Sequence, residues 1–306
     1  MTSKLQVAGC PSPVAQKRAA VTTFNLQPST SNLSSAFTLV ELLVVISILG
    51  LLAGLSVPAL KSLGKSNNSA SASRQLLDDI GRARQLAISQ HTTVYMVFVK
   101  TNFWMSAGYN WPTPWWLKLT PAQQTSATNL CDKQLTGYTF ISLRSVGDQP
   151  GQGTTHYLAP WQSLPDGAYI ASQKFQMPNS ATLPFYVPGY VANLPIYGFS
   201  VTNNIPFPTE DSAPSSILYL PYIAFNYLGQ LVTTNFNGEY IPLVQGTVSP
   251  ALNPATRAYT ISANSPASFS ETPPGNSGIG NNNLSYNIIH IDQLTGRATL
   301  LYYRVQ

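Results

Sequence analysis

A chain of 306 residues with only 9% charged side chains and a formal charge of +5 can build a sizeable core, but lacks the cation density of a broad phosphate-binding surface. Its two cysteines, Cys10 and Cys131, exclude the disulfide framework that holds small secreted domains together. Abundant Asn, Ser, Thr, Tyr, Gly and Pro beside so few charges suit a loop-rich β domain outside the cytoplasm.

The first 36 residues contain no acid and carry Lys4, Lys17 and Arg18, a bias that favours keeping this end in the cytoplasm. An apolar run then extends from Phe37 to Leu60, broken only by Thr38, Glu41, Ser47, Gly50, Gly54, Ser56 and Pro58. As a helix rising ~1.5 Å per residue it reaches ~36 Å, enough to cross a hydrocarbon core of ~30 Å, so residues 37–60 are expected to span a membrane. A carboxylate in such a segment costs roughly 2.5 to 3.5 kcal/mol on insertion scales, so Glu41 needs a partner. A cut between Ala36 and Phe37 would create an α-amino group four residues before it. The plain alternative is an uncleaved signal anchor whose acid snorkels or stays protonated.

The word Ala36-Phe37-Thr38-Leu39-Val40-Glu41, with the apolar run behind it, resembles the cleavage signal of type IV prepilins and type II secretion pseudopilins. The resemblance implies that a membrane peptidase removes residues 1–36 and methylates the new N-terminus at Phe37. It also implies that Glu41 neutralises the N-terminus of a neighbouring subunit during assembly, and that Pro58 bends the helix. The family usually has glycine before the cut, where this chain has Ala36. Sixteen Lys and Arg less the three of the leader leave thirteen against eleven Asp and Glu, so the mature balance is about +2 and Cys131 stands alone.

Residues 61–91 are expected to extend the helix with an amphipathic face. Leu76, Ile80, Ala83 and Ala87 recur at helical spacing, with Leu77 and Ile88 widening the stripe. Asp78 precedes Arg82 by four residues, the favourable order for an exposed helical pair. Gly64 and Asn67-Asn68 are the weakest stretch, and Gln90-His91-Thr92 ends the helix. From residue 92 to 306 the pattern is β-like. Strands are expected at 92–100, 138–143, 168–172, 196–201, 217–220, 223–227, 230–234, 259–263, 286–291 and 297–303. Two hairpins stand out, 224–232 around Gly229 and 289–300 around Gly296, where glycine supplies a positive φ. Residues 101–160 form an enlarged, aromatic-rich insertion, and 262–283, crowded with Pro, Ser, Asn and Gly, read as a long mobile loop.

The helix end Asp78-Asp79-Ile80-Gly81-Arg82-Ala83-Arg84-Gln85-Leu86-Ala87-Ile88 followed by a strand resembles GspH/FimT-type minor pseudopilins. So do Leu164-Pro165-Asp166-Gly167-Ala168-Tyr169 and Thr295-Gly296-Arg297. The resemblance implies an α+β fold, in which a long N-terminal transmembrane α-helix precedes a mostly antiparallel β domain of two packed sheets. It implies a single inner-membrane pass with the C-terminal domain in the periplasm, and a structural subunit that assembles or primes a type II secretion pseudopilus or type IV pilus. The implied partners are a prepilin peptidase/N-methyltransferase, other pilins or pseudopilins, an assembly platform and its ATPase, and membrane lipid.

All five tryptophans, Trp104, Trp111, Trp115, Trp116 and Trp161, fall in or beside the insertion. Aromatic platforms bind sugars or bases, so Trp111, Trp115 and Trp116 are a candidate ligand surface for a pilus-displayed adhesin or DNA-uptake head. The weightier reading is a loop that buries its own apolar side chains around Pro112 and Pro114. His91, His156 and His290 are widely separated, with no Cys, Asp or Glu at metal-ligand spacing, so no metal or cofactor is expected. No nucleophile elbow supports a hydrolytic triad, and an enzyme is not expected. A nucleic-acid partner is not expected either.

Overall fold

Alternating apolar residues on five strands and a stripe of small and branched residues on one helix build the centre of this protein. The computed structural model describes residues 38–105, 109–145, 147–149, 153–175, 185–187, 194–202, 205–215, 217–233, 237–263, 265–271 and 287–301, with backbone alone at 53–67, 185–187, 194–195, 202 and 271. The expected leader and Phe37 therefore lie outside the described residues, as does the side chain of Pro58. The chain divides into two compact units, residues 1–54 and 55–306.

The elements in chain order are α1 (Leu39–Ser89), β1 (Val94–Phe98), α2 (Pro114–Lys118), α3 (Pro121–Thr128), β2 (Gly137–Ser142), β3 (His156–Tyr157), β4 (Gln162–Ser163) and β5 (Ala168–Ile170). They continue with β6 (Phe185–Val187), β7 (Leu194–Ile196), β8 (Ser200–Thr202), β9 (Leu220–Phe225), β10 (Glu239–Ser249), β11 (Ser268–Glu271), β12 (Asn287–Ile291) and β13 (Ala298–Leu301). Every strand pair is antiparallel. The first sheet runs β3-β2-β1-β9-β8 with β4 also on β2, the second β11-β10-β12-β13 with β5 also on β10, and β6 pairs β7 separately. The expected α+β class with antiparallel sheets is what the chain adopts.

In the second unit Ala72, Leu76, Ile80, Ala83 and Ala87 of α1 are fully buried, as their spacing predicts. They meet Val94, Met96 and Phe98, Tyr138 and Phe140, and Ile223 and Phe225 from the first sheet, with Ile241 and Leu243, and Ile289 and Ile291, from the second. Each set alternates at period two, so one face of each of these five strands points at the helix. The opposite face of the first sheet is covered too: Val97, Ile141 and Leu220 pack under Phe103, Trp104, Trp115 and Phe207. Burial on both faces is why β2 reads Gly-Tyr-Thr-Phe-Ile-Ser with no exposed position.

The polar residues beside the helical stripe each reach a different element. Asp79 accepts from the Tyr138 hydroxyl, and burial together with that bond pushes the phenol pKa up. Arg82 lies over Phe140, 5.7 Å from its ring centroid, and among the described residues it makes no ion pair with Asp78. Arg84 Nε donates to Thr295 O at 2.8 Å and Gly229 O at 3.2 Å, tying both expected hairpin turns to the helix. Gly229 and Gly296 have φ of +77° and +62°, and a Cβ on Gly296 would stand 2.0 Å from Gly229 O.

Several expectations shift. Residues 196–201 divide between β7 and β8, 217–220 and 223–227 join in β9, and 230–234 and 259–263 contribute only single bridges at Leu231 and Tyr259. The stretch 262–283 was expected to lack structure, but it contains β11, which pairs with Gly246 to Ser249. The longest strand, β10, is absent from the expected set because Pro242 and Gly246 interrupt its pattern. Proline fits there because its carbonyl, on the same side of the strand as its nitrogen, accepts from Ala171 N just beyond the β5 ladder. No β12 bond needs the missing N–H.

Candidate functional site

The start of α1 is built from the residues that drew notice in the sequence. Thr38 stands before the first helical residue, and its Oγ1 accepts from Glu41 N at 3.2 Å while Glu41 Oε2 accepts from Thr38 N at 3.3 Å. This reciprocal pair is a capping box, satisfying helix-start donors that have no intrahelical acceptor. The Thr38 hydroxyl also donates to Glu41 Oε2 at 3.3 Å. Glu41 is the sole acid of that turn, so its negative charge meets the positive end of the helix dipole.

Around this carboxylate the helix is apolar on every side. Leu39, Val40, Leu42, Leu43, Val44, Val45, Ile46, Ile48, Leu49, Leu51 and Leu52 are all exposed, and Ser47 turns its hydroxyl back to Leu43 O at 2.8 Å, which hides its polarity in the backbone. A helix apolar all round exists to be covered by something. Among the described residues no helix is long and apolar enough to cross a membrane. The described side chains of the expected span end at Leu52, and those of 53–60 lie outside the description.

The aromatic insertion is mostly interior. Thr113-Pro114 and Thr120-Pro121 each place a capping threonine before a proline at the first helical position, and Thr120 forms a full capping box with Gln123. Both helices lie inside a region read from the sequence as loop, and the repeated Thr-Pro step was the signal that could have found them. Trp115 is 3% exposed and its indole donates to Phe207 O at 3.3 Å. Trp104 donates to Ser262 O and Trp161 to Pro208 O, at 3.1 and 3.0 Å. Trp111 and Trp116 are half-buried, their centroids 5.2 Å apart. Of the candidate ligand surface, these two reach solvent and Trp115 does not. The insertion also closes on residues far outside 101–160, since Ile205, Phe207, Leu218 and Leu220 complete its core.

Among the described residues no group of three or more His, Cys, Asp or Glu side chains is placed to hold a metal ion. His156 Nδ1 lies 3.7 Å from Glu210 Oε2, and His290 stacks on Tyr240 with centroids 4.6 Å apart. Cys131 is buried, and burial, with Asp132 adding, pushes its thiol up to about 12. A cavity of about 810 Å³ is lined by charges of both signs, among them Asp132, Lys133, Asp166 and Arg257. Sequence reasoning gave no warning of a buried ion pair between Lys174 and Glu239, 65 residues apart.

Comparison with known families matches residues 31–57 to the prokaryotic N-terminal methylation motif. The chain carries a prokaryotic N-terminal methylation motif. The match contains Ala36, Phe37, the Thr38 and Glu41 capping box and the exposed apolar residues Leu39 to Leu52, and it supports a relationship to type IV prepilin-like proteins. Such a relationship carries with it processing by a prepilin peptidase, a membrane-anchored start and assembly with other pilins in general. No curated protein and no solved structure matches the chain.

Proposed function

We propose that this chain is a structural subunit, a minor pilin or pseudopilin resembling the GspH/FimT type, that assembles or primes a type II secretion pseudopilus or type IV pilus. The observation that carries the proposal is the methylation motif laid over a helix whose described apolar side chains from Leu39 to Leu52 are all exposed around one carboxylate. A peptidase cuts between Ala36 and Phe37 and methylates Phe37. Residues 37–60 hold the subunit in the inner membrane with the β domain in the periplasm. On assembly, neighbouring helices replace lipid around Leu39 to Leu52, and the Phe37 amine of an adjoining subunit pairs with Glu41. An assembly platform and its ATPase supply the extraction work. The subunit is not an enzyme in this reading.

Glu41 has two tasks here, capping its own helix and balancing an incoming amine, and two substitutions separate them. Glutamine is a competent capping-box residue without charge, whereas valine removes both functions. Glu41→Val and Glu41→Gln should both insert into the membrane and both fail to enter filaments, as read by fractionation and by shear release of fibres. Normal incorporation of Glu41→Gln would remove the charge-pairing role. Mass spectrometry of the native N-terminus should find methylated Phe37 in cells holding the peptidase and a leader still joined to Phe37 in cells lacking it.

The displayed-ligand reading of the insertion draws support only from Trp111 and Trp116. Replacing both with alanine should leave filament assembly and its dependent function unchanged; loss of ligand capture by intact filaments would favour display.

A further inference from the structure

Lys174 has a side chain with no exposed surface, and the Glu239 side chain against it is 5% exposed. The lysine Nζ contacts Glu239 Oε1, donates to Tyr197 O at 2.7 Å and lies 4.7 Å from the centroid of Phe199. Phe199 stacks on Phe98 at 4.5 Å and meets Phe175 edge-on at 5.2 Å, so the surroundings are aromatic. Both backbones are fixed. Lys174 N donates to Ala171 O and its carbonyl accepts from Phe199 N, while Glu239 begins β10 opposite Ile291. Burial lowers the lysine pKa, and the nearby carboxylate opposes that shift. Two opposite charges held this way are costly to keep out of water, whereas an amide of the same atoms is neutral.

We propose that Lys174 and Glu239 condense in the folded protein to an intramolecular isopeptide bond. An ammonium and a carboxylate in contact differ from an amine and a carboxylic acid by one proton transfer within the pair. The Nζ lone pair then attacks Glu239 Cδ and a C–N bond forms. The bond from Cδ to one carboxyl oxygen breaks, and that oxygen leaves as water with the proton received from the lysine and one more from nitrogen. Nothing is oxidised or reduced, and no co-reactant is required. The remaining N–H keeps the Tyr197 carbonyl as its acceptor. The link would close the chain between residues 174 and 239 in a β domain whose sequence holds one cysteine, Cys131, and so no disulfide of its own, constraining the unfolded chain as a disulfide does. It does not depend on processing or filament assembly.

The test is the mass of the full chain, purified, denatured and reduced, with its N-terminus identified in the same digest. The expected result is a mass lower than the composition by one water molecule, with a branched peptide joining Lys174 to Glu239. Lys174→Met should restore the full composition mass. Recovery of Lys174 and Glu239 in separate linear peptides from the wild-type chain would overturn the proposal, whatever the variant does. A missing water that maps to any other residue would overturn it equally.

Discussion

His91 closes α1 with a left-handed backbone, φ 49°, a conformation that costs a residue with a Cβ roughly 1 to 2 kcal/mol. The hydrogen bonds explain why it is held there: Thr92 N donates to Ala87 O and His91 N to Ile88 O, both at 3.3 Å, the two-bond pattern that ends many helices and favours glycine. His91→Gly should therefore raise stability by about 1 kcal/mol, read as a higher urea midpoint at unchanged slope. Cys131 is governed by burial instead. Its thiol, pushed up to about 12 by burial and then by Asp132, contributes no thiolate at physiological pH. Because its folded value is raised, the folded state loses stability only as pH climbs above the ordinary thiol range. Iodoacetamide at pH 8 should leave the native thiol unmodified and label it fully in denaturant.

At the scale of elements, glycines on the helix and in the hairpins predict opposite outcomes for the same substitution. Gly81 is exposed on α1 with nothing within 4 Å of an added Cβ. Gly81→Ala should stabilise by about 0.5 to 1 kcal/mol through helix propensity and unfolded-state entropy. Gly296 sits in the turn between β12 and β13 with φ +62°, and an added Cβ would stand 2.0 Å from the carbonyl of Gly229 in the other turn. Gly296→Ala should cost roughly 2 to 4 kcal/mol, since both the backbone angle and the turn-on-turn packing are lost. Asp292 reinforces the same turn: its Oδ1 accepts from Thr295 Oγ1 and Thr295 N, both at 2.7 Å, and those bonds hold the carboxyl below its usual range. Thermal melts of the two glycine variants beside the wild type check the signs. If Gly296→Ala melts like the wild type, the two turns do not depend on their contact.

On the scale of the whole molecule, what could be read from the sequence is what local chemistry decides. The α1 stripe and the two glycine turns depend on residues a few positions apart and were legible, whereas the equally local Thr38 and Glu41 capping box went unread because Glu41 drew notice only as an acid in need of an amine. The other unread parts are decided at a distance. The β10 strand tolerates Pro242 because of where β5 ends, the insertion is finished by residues 205–220, and Lys174 finds Glu239 across 65 residues. The same distinction predicts how the chain behaves when cut. Among the described side chains the three buried clusters take their first member at Ala72, and the first described long-range bond is from Asn68 Nδ2 to Asp166 O at 2.7 Å. The described apolar side chains from Leu39 to Leu52 are all exposed. A chain of residues 68–306 should therefore melt in one cooperative transition and sediment as a monomer without detergent. The full chain should partition with membranes and need detergent for extraction. Aggregation of 68–306 with loss of its cooperative melt would mean that the β domain depends on the apolar helix for its fold.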